Sequence, residues 1–215
     1  MKKIPVKYHI FINCRFDAQF WPFFRAIIFA VLDCGFEPRA ALEHQGAEEP
    51  RLEKLLKIIL EAQYCISDIS LSKVLQADSP RLNMAFELGL FLGSLKHGPK
   101  RKPSRSLFVM DSKKHRPKKT ISDLAGVEVE AHGNNPLRVI ALIRNWLRSL
   151  RRADVFIPTA ANIQARYVQF TKELPVMMQK KGHDPVRPLG LEDYLDFVEF
   201  VKIWLVTNDR NKPTS

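Results

Sequence analysis

Apolar residues in the first 150 positions alternate between short continuous runs and longer stretches with helical spacing. The short runs predict five buried strands, at residues 6–13, 36–39, 64–69, 106–110 and 127–131. Three- and four-residue apolar spacing predicts helices at 17–34, 51–62, 80–95 and from Pro136 onward. Because strands alternate with helices and no hairpin signal occurs, the pattern predicts an α/β fold with a parallel sheet covered on both faces.

The pattern changes near residue 151. Pro158 and Thr159 start a predicted helix that ends near Glu173, a loop rich in glycine and proline follows, and residues 191–206 form a last amphipathic helix. Two helices of this size cannot bury a core alone, so we expect them to pack against the sheet domain or against a partner chain. The predicted organisation is a sheet domain at 1–152 and a C-terminal helical extension at 153–215.

Composition narrows the setting of the protein. The chain has 215 residues, of which 46% are hydrophobic, and no uninterrupted run of about 18 apolar residues exists. We therefore expect no membrane association, and the lack of a recognisable signal peptide predicts a cytoplasmic location. Cys14, Cys34 and Cys65 are widely spaced and form no ligand cluster, and no histidine has ligand spacing, so we expect no metal ion. Apolar surroundings favour Cys34 and Cys65 as reduced core residues, whereas Cys14 lies near the predicted site.

The net charge of +11 favours an anionic partner such as a nucleotide. The excess is concentrated at residues 96–119, where aromatic side chains are not interleaved among the cations. Nucleic-acid faces usually combine the two, so we do not expect nucleic-acid binding, and a solvated pair of loops accounts for this segment.

Ligands of such sheets bind outside the carboxyl ends of the strands. The first strand lacks the glycine-rich dinucleotide motif, and no P-loop is present. Glu87 is a candidate site residue because it lies among apolar residues of a predicted helix. It follows Asn83 by four residues, so the two share one face of that helix. Two interpretations remain open: a buried salt bridge with Arg15 or Arg39, or a carboxylate that faces a ligand sugar, where burial would raise its pKa.

Three segments carry a resemblance to a known group. They are 80–89 (PRLNMAFELG) after 66–70 (ISDIS), 11–17 (FINCRFD) with 34–39 (CGFEPR), and 121–126 (ISDLAG). Over about residues 6–150, the chain resembles bacterial nucleotide-binding proteins. These belong to the broad group that includes Toll/interleukin-receptor-like (TIR-like) domains and nucleoside 2-deoxyribosyltransferases. The resemblance implies a flavodoxin-like sheet and chemistry at a nucleoside N-glycosidic bond.

The resemblance also implies site residues. The glutamate that carries the chemistry corresponds to Glu87, and the carboxylate that ends the third strand corresponds to Asp68. Position alone adds the ligand-binding candidates, which are Arg15, Phe16, Asp17, Arg39, Ser70, Arg81 and Asn83. In this prediction Phe16 stacks on a ring and the arginines bind phosphates. The sequence departs from the relatives at the loop after the first strand and at the approach to Glu87, so the substrate does not carry over.

Three functions follow as hypotheses. The first is a nucleotide N-glycosidic bond hydrolase acting on NAD, as a bacterial antiviral defence effector, with no resident cofactor. The second is a non-catalytic nucleotide sensor or protein-interaction module whose helical extension binds a partner or a second copy. The third is deoxyribosyl transfer between bases, which would act on unphosphorylated deoxynucleosides and make no use of the arginines.

Overall fold

A computed structural model describes residues 8–43, 50–70, 81–98, 100, 104–113, 127–150, 155–184 and 193–208, except the side chains of Arg81 and Leu82. Its strands are β1 His9–Asn13, β2 Glu37–Arg39, β3 Tyr64–Asp68, β4 Ser106–Asp111 and β5 Val129–Ala131. Its helices are α1 Trp21–Asp33, α2 Arg51–Glu61, α3 Arg81–His97, α4 Pro136–Ser149, α5 Ala160–Lys180 and α6 Tyr194–Thr207, with a short 3-10 turn at Ala41–Glu43. None of the described helices is long and apolar enough to cross a membrane.

The five strands form one parallel sheet in the order β2-β1-β3-β4-β5. This is the strand order of flavodoxin-like folds, and the predicted fold class is confirmed. The chain changes direction across the sheet between β1 and β3, whose pairing places Asn13 beside Ser67. In a sheet of this order, the crevice at that switch point is where ligands bind.

Alternate residues of the strands face two different helical layers. Ile10, Ile12 and Ile66 lie in the core shared with α1 and α4. Phe11 and Cys65 face the other way and lie in a second cluster with residues of α2 and with Phe91 of α3. Both faces are therefore covered, which is why the strands are almost continuously apolar.

The C-terminal helices share the main core with the sheet domain. Phe29 of α1 lies 5.4 Å from Phe170 of α5 and 5.9 Å from Trp204 of α6, measured between ring centroids. Tyr194 of α6 reaches further and donates a hydrogen bond to the carbonyl of Pro38 in β2. Of the two alternatives raised by the sequence, the structure shows packing against the sheet domain.

Two predicted helix boundaries differ from the structure by four residues or more. Helix α1 begins at Trp21 and not at Asp17, because Asp17 accepts hydrogen bonds from the backbone N–H of Phe20 and forms a turn before the helix. Helix α5 ends at Lys180 and not near Glu173, and Pro175 lies inside it on an exposed side. Burial of Leu174 and Met178 continues the apolar stripe past the proline and offsets the missing hydrogen bond.

Candidate functional site

The carboxyl ends of β1 and β3 and helix α3 bring together buried polar residues. Asn13, Asp68 and Glu87 have exposed fractions of 0%, 0% and 5%. Asn13 ends β1, Asp68 ends β3, and Glu87 lies in the second turn of α3. Because buried carboxyl groups are rare without a partner, the pairing of each one decides what it can do.

Glu87 makes no hydrogen bond and no ion pair with any of the described residues. Its burial raises its pKa to about 7, an effect that the positive charge of Arg51 on α2 partly opposes. The salt bridge with Arg15 or Arg39 that the sequence left open is not formed, since both arginines pair with other carboxylates. Glu87 is therefore a carboxyl group that changes its charge near neutral pH.

Asp68 and Glu87 both act electrostatically on the buried thiol of Cys14. Burial raises the pKa of the Cys14 thiol well above its usual value, and the negative charges of Asp68 and Glu87 raise it further. Both carboxylates are therefore within electrostatic reach of this one side chain. The same environment keeps Cys14 as a neutral thiol, so it is not an activated nucleophile.

Asp68 belongs to a second polar group, which includes a residue that follows the edge strand β5. His132, which follows β5, places its Nε2 atom 2.9 Å from Ser70 Oγ and 3.2 Å from Asp68 Oδ2. The other carboxylate oxygen, Oδ1, accepts a hydrogen bond from the backbone N–H of Ser70. Oδ2 has no hydrogen bond among the described residues, so the contact with His132 is an electrostatic one.

The arrangement of these three residues excludes a serine-hydrolase relay. The backbone N–H of Asn134 points at His132 Nδ1, so Nδ1 is the acceptor and the neutral ring carries its proton on Nε2. Ser70 and Asp68 both approach that same Nε2 atom. A ring that donates through Nε2 cannot accept the proton of Ser70, and His132 therefore holds Asp68 and Ser70 in place.

The predicted phosphate-binding arginines are paired within the protein. Arg15 lies 3.0 Å from Asp17 Oδ2, and its cation packs over Phe20. Arg39 pairs with Glu43 at 2.7 Å and Glu61 at 3.0 Å. Among the described residues, neither guanidinium is an uncommitted phosphate ligand. The predicted roles of Arg15, Asp17 and Arg39 in ligand binding would require these pairs to open.

The remaining candidates are distributed around this edge. Phe16 is half-buried and packs edge-on against Phe24 at 5.5 Å, while Asn83 is exposed although Glu87, four residues later, is buried. Arg81 begins α3, but its side chain lies outside the described residues, as do the predicted helix start at Pro80 and the segment 121–126.

Two residues of the site, His132 and Asn13, are not predicted from the sequence. His132 has no ligand spacing in the sequence, and it lies 62 positions from its hydrogen-bond partner Ser70. The sequence predicts Asn13 only as the last residue of a strand, whereas its carboxamide bonds to β3 and α3. Only a polar residue at the end of an otherwise apolar strand signalled Asn13, and no sequence signal linked His132 to the site.

A separate group lies at the turn between α5 and α6. His183, Asp193 and Asp196 each place one ligand atom within 4.8 Å of the other two, a spacing that can hold a metal ion. His183 Nε2 lies 3.6 Å from Asp196 Oδ2, and all three residues are half-buried. The predicted site at the carboxyl edge of the sheet includes none of them.

Comparison with known proteins identifies no relative. No protein-family profile, no curated protein and no solved structure matches this chain.

Proposed function

We propose that this protein hydrolyses the N-glycosidic bond of a nucleotide, with NAD as the substrate to test first. The observation that carries the proposal is Glu87, a buried carboxyl group without a partner among the described residues and with a pKa of about 7. A carboxylate held only for packing is expected to have a cation or donors beside it. A carboxyl group with a raised pKa, near the switch point of a parallel sheet, is typical of a functional site.

The chemistry follows from the charge that develops when the bond breaks. The sugar carbon becomes positively charged as the base leaves, and an ionised Glu87 would stabilise that charge electrostatically or attack it. Poor hydration of the carboxylate strengthens this interaction, because no bulk water screens it. Asp68, fixed by His132 and the Ser70 backbone, would orient a ribose hydroxyl group or the attacking water.

The test is nicotinamide release from NAD by the purified full-length chain, measured by chromatography. Wild type is compared with Glu87→Gln, which keeps the shape of the side chain and removes the charge. Glu128→Gln, at an exposed position before β5, is the matched control. Release by wild type and Glu128→Gln that is lost in folded Glu87→Gln supports the proposal, whereas equal release by all three proteins contradicts the role of Glu87.

Deoxyribosyl transfer is the second candidate, and the arginine pairs favour it. Arg15 and Arg39 are engaged with carboxylates, which suits an unphosphorylated nucleoside better than a dinucleotide. Incubation with a deoxynucleoside and a different free base distinguishes the two functions. A new deoxynucleoside in the product mixture supports transfer, and free nicotinamide from NAD supports hydrolysis.

The exposed face of the C-terminal helices supports the expectation of a partner protein or a second copy. Val176 of α5 and Leu195 and Val206 of α6 are each more than half exposed. Light scattering on the eluting protein tests self-association. If the protein is a monomer at every concentration measured, self-association is excluded and the expected partner is a different protein.

A further inference from the structure

The carboxamide of Asn13 lies between three elements of the fold. Its Nδ2 atom donates to Ser67 Oγ at 3.1 Å and to the backbone carbonyl of Met84 at 2.8 Å. Asn13 and Ser67 are paired neighbours in β1 and β3, and Met84 lies in the first turn of α3. Both N–H bonds are used, so this buried side chain ties the sheet edge to the start of the helix that carries Glu87.

The position of Glu87 depends on the position of its helix. Because Glu87 bonds to no described residue, its own side chain does not fix where the carboxyl group lies. Met84 is three residues before Glu87, one helical turn away, and both side chains are buried. A restraint on the Met84 carbonyl therefore acts on the helix backbone one turn before Glu87.

The other contacts between α3 and the sheet are less specific. Leu88 packs against Val109 of β4, and Phe91 packs in the cluster that contains Cys65. Apolar burial has no preferred direction, so such contacts tolerate small shifts of a helix along or around its axis. A hydrogen bond restricts both distance and angle, and the Asn13 bond therefore fixes the helix more narrowly than its packing does.

A second polar anchor holds the other end of α3 and provides a matched control. Arg105, just before β4, donates from Nη1 to Ser94 Oγ at 2.8 Å, and Nη2 donates to the carbonyl of Ile59. Its cation also lies over the ring of Phe91. Ser94 follows Glu87 by seven residues, so loss of its hydroxyl weakens this anchor of α3 without disturbing the first turn; the bond from Arg105 to the Ser94 backbone carbonyl remains.

We infer that Asn13 is a positioning residue that holds Glu87 at the ligand-facing end of the sheet through the backbone of Met84. The inference rests on the proposed function only in assigning Glu87 a chemical role. The Asn13 Oδ1 atom is buried and has no hydrogen bond among the described residues. An unpaired buried acceptor is destabilising, so packing alone would favour an apolar side chain of this size.

The first experiment measures the pKa of Glu87 directly, without any substrate. Infrared or carboxyl-carbon magnetic resonance titrations are recorded for wild type, Asn13→Leu and Ser94→Ala, and the Glu87 signal is assigned by its loss in Glu87→Gln. Asn13→Leu removes both N–H donors and keeps the branched shape of the side chain. We expect its looser first turn to let water reach the carboxyl group, so that the pKa falls by about one unit or more towards the ordinary value. Ser94→Ala should keep the wild-type pKa.

The second experiment measures nicotinamide release at saturating and limiting NAD. Asn13→Leu should lower kcat about 100-fold with little change in KM, because misplacement affects the transition state more than substrate binding. Ser94→Ala should stay close to wild type. If wild type releases no nicotinamide, the proposed function fails, while the titration still tests the positioning role.

The proposal is overturned if Glu87 titrates at the same pH in wild type and in the folded Asn13→Leu variant. It is also overturned if Ser94→Ala lowers the pKa as much, because the effect would then report general loosening of α3. Asn13→Ser keeps one donor and is measured in parallel, in case the leucine variant does not fold. It should give a pKa between those of wild type and a variant without donors, and a wild-type pKa in this variant counts against the proposal.

Discussion

Replacing Glu87 by glutamine should stabilise the protein at alkaline pH and leave its stability almost unchanged in mild acid. The folded protein raises the pKa of Glu87 from 4.5 to about 7 by burial. Between these two values the unfolded chain loses the proton while the folded protein keeps it, so the stability of wild type falls as pH rises through this window. Glutamine has no proton to lose, and its variant lacks this dependence.

The size of the effect follows from the two pKa values of Glu87. At about 1.4 kcal/mol per pKa unit, the difference between the folded and unfolded pKa values corresponds to about 3 kcal/mol of lost stability at pH 8. At that pH, Glu87 is mostly ionised in both the folded and the unfolded wild-type protein. At pH 5 the difference is below about 1 kcal/mol, because the folded protein still holds the proton. In a chain of this length, about 3 kcal/mol corresponds to a rise in Tm of about 6–12 °C.

Guanidinium unfolding at pH 5 and pH 8 measures this difference for wild type, Glu87→Gln and the exposed control Glu128→Gln. The expected result is a stabilised Glu87→Gln at pH 8 only, with no pH-dependent difference in the control. Equal stability of wild type and Glu87→Gln at both pH values would refute the reasoning, since Glu87 would then have a partner or access to water. A destabilised Glu87→Gln at pH 8 would refute it more strongly.

Other parts of the structure give three further predictions. His132→Phe should destabilise the fold by about 2 kcal/mol in guanidinium unfolding, because it removes the ring N–H that faces the buried oxygen atoms of Ser70 and Asp68. The three cysteine thiols of the native protein should resist a thiol reagent at pH 8 and react only after unfolding, since all three are buried. Phe170→Ala should lower the free energy of unfolding by about 3–5 kcal/mol, because Phe170 packs against Phe29 in the main core. A fragment ending at residue 152 should not fold, because helices α5 and α6 complete that core.

Each of these predictions has a result that would count against it. An unchanged stability of His132→Phe would mean that Asp68 finds another partner. Rapid labelling of one thiol in the native state would show that Cys14 or a neighbour is accessible. A cooperative unfolding transition of the fragment 1–152 would show that the sheet domain does not need the C-terminal extension.

The sequence predicted the fold better than it predicted the site. Strands and helices depend on local spacing, so β1, β3 and α3 were all predicted, with errors only at their ends. Glu87 was also visible locally, because a carboxylate among apolar residues implies burial. The pairing of Arg39 with Glu61 and of His132 with Asp68 joins residues far apart in the chain, and no local pattern carries that information.

The dependence of nicotinamide release on pH tests the central claim most directly, because it connects the chemistry to the charge of Glu87. If ionised Glu87 stabilises the developing positive charge, kcat/KM of wild type should rise about tenfold between pH 6 and a plateau above about pH 8, with its midpoint at about pH 7, the pKa of that carboxyl group. Glu87→Gln should show little activity at any pH. Wild-type activity that is flat from pH 5 to pH 8, or that survives in Glu87→Gln, would contradict the account.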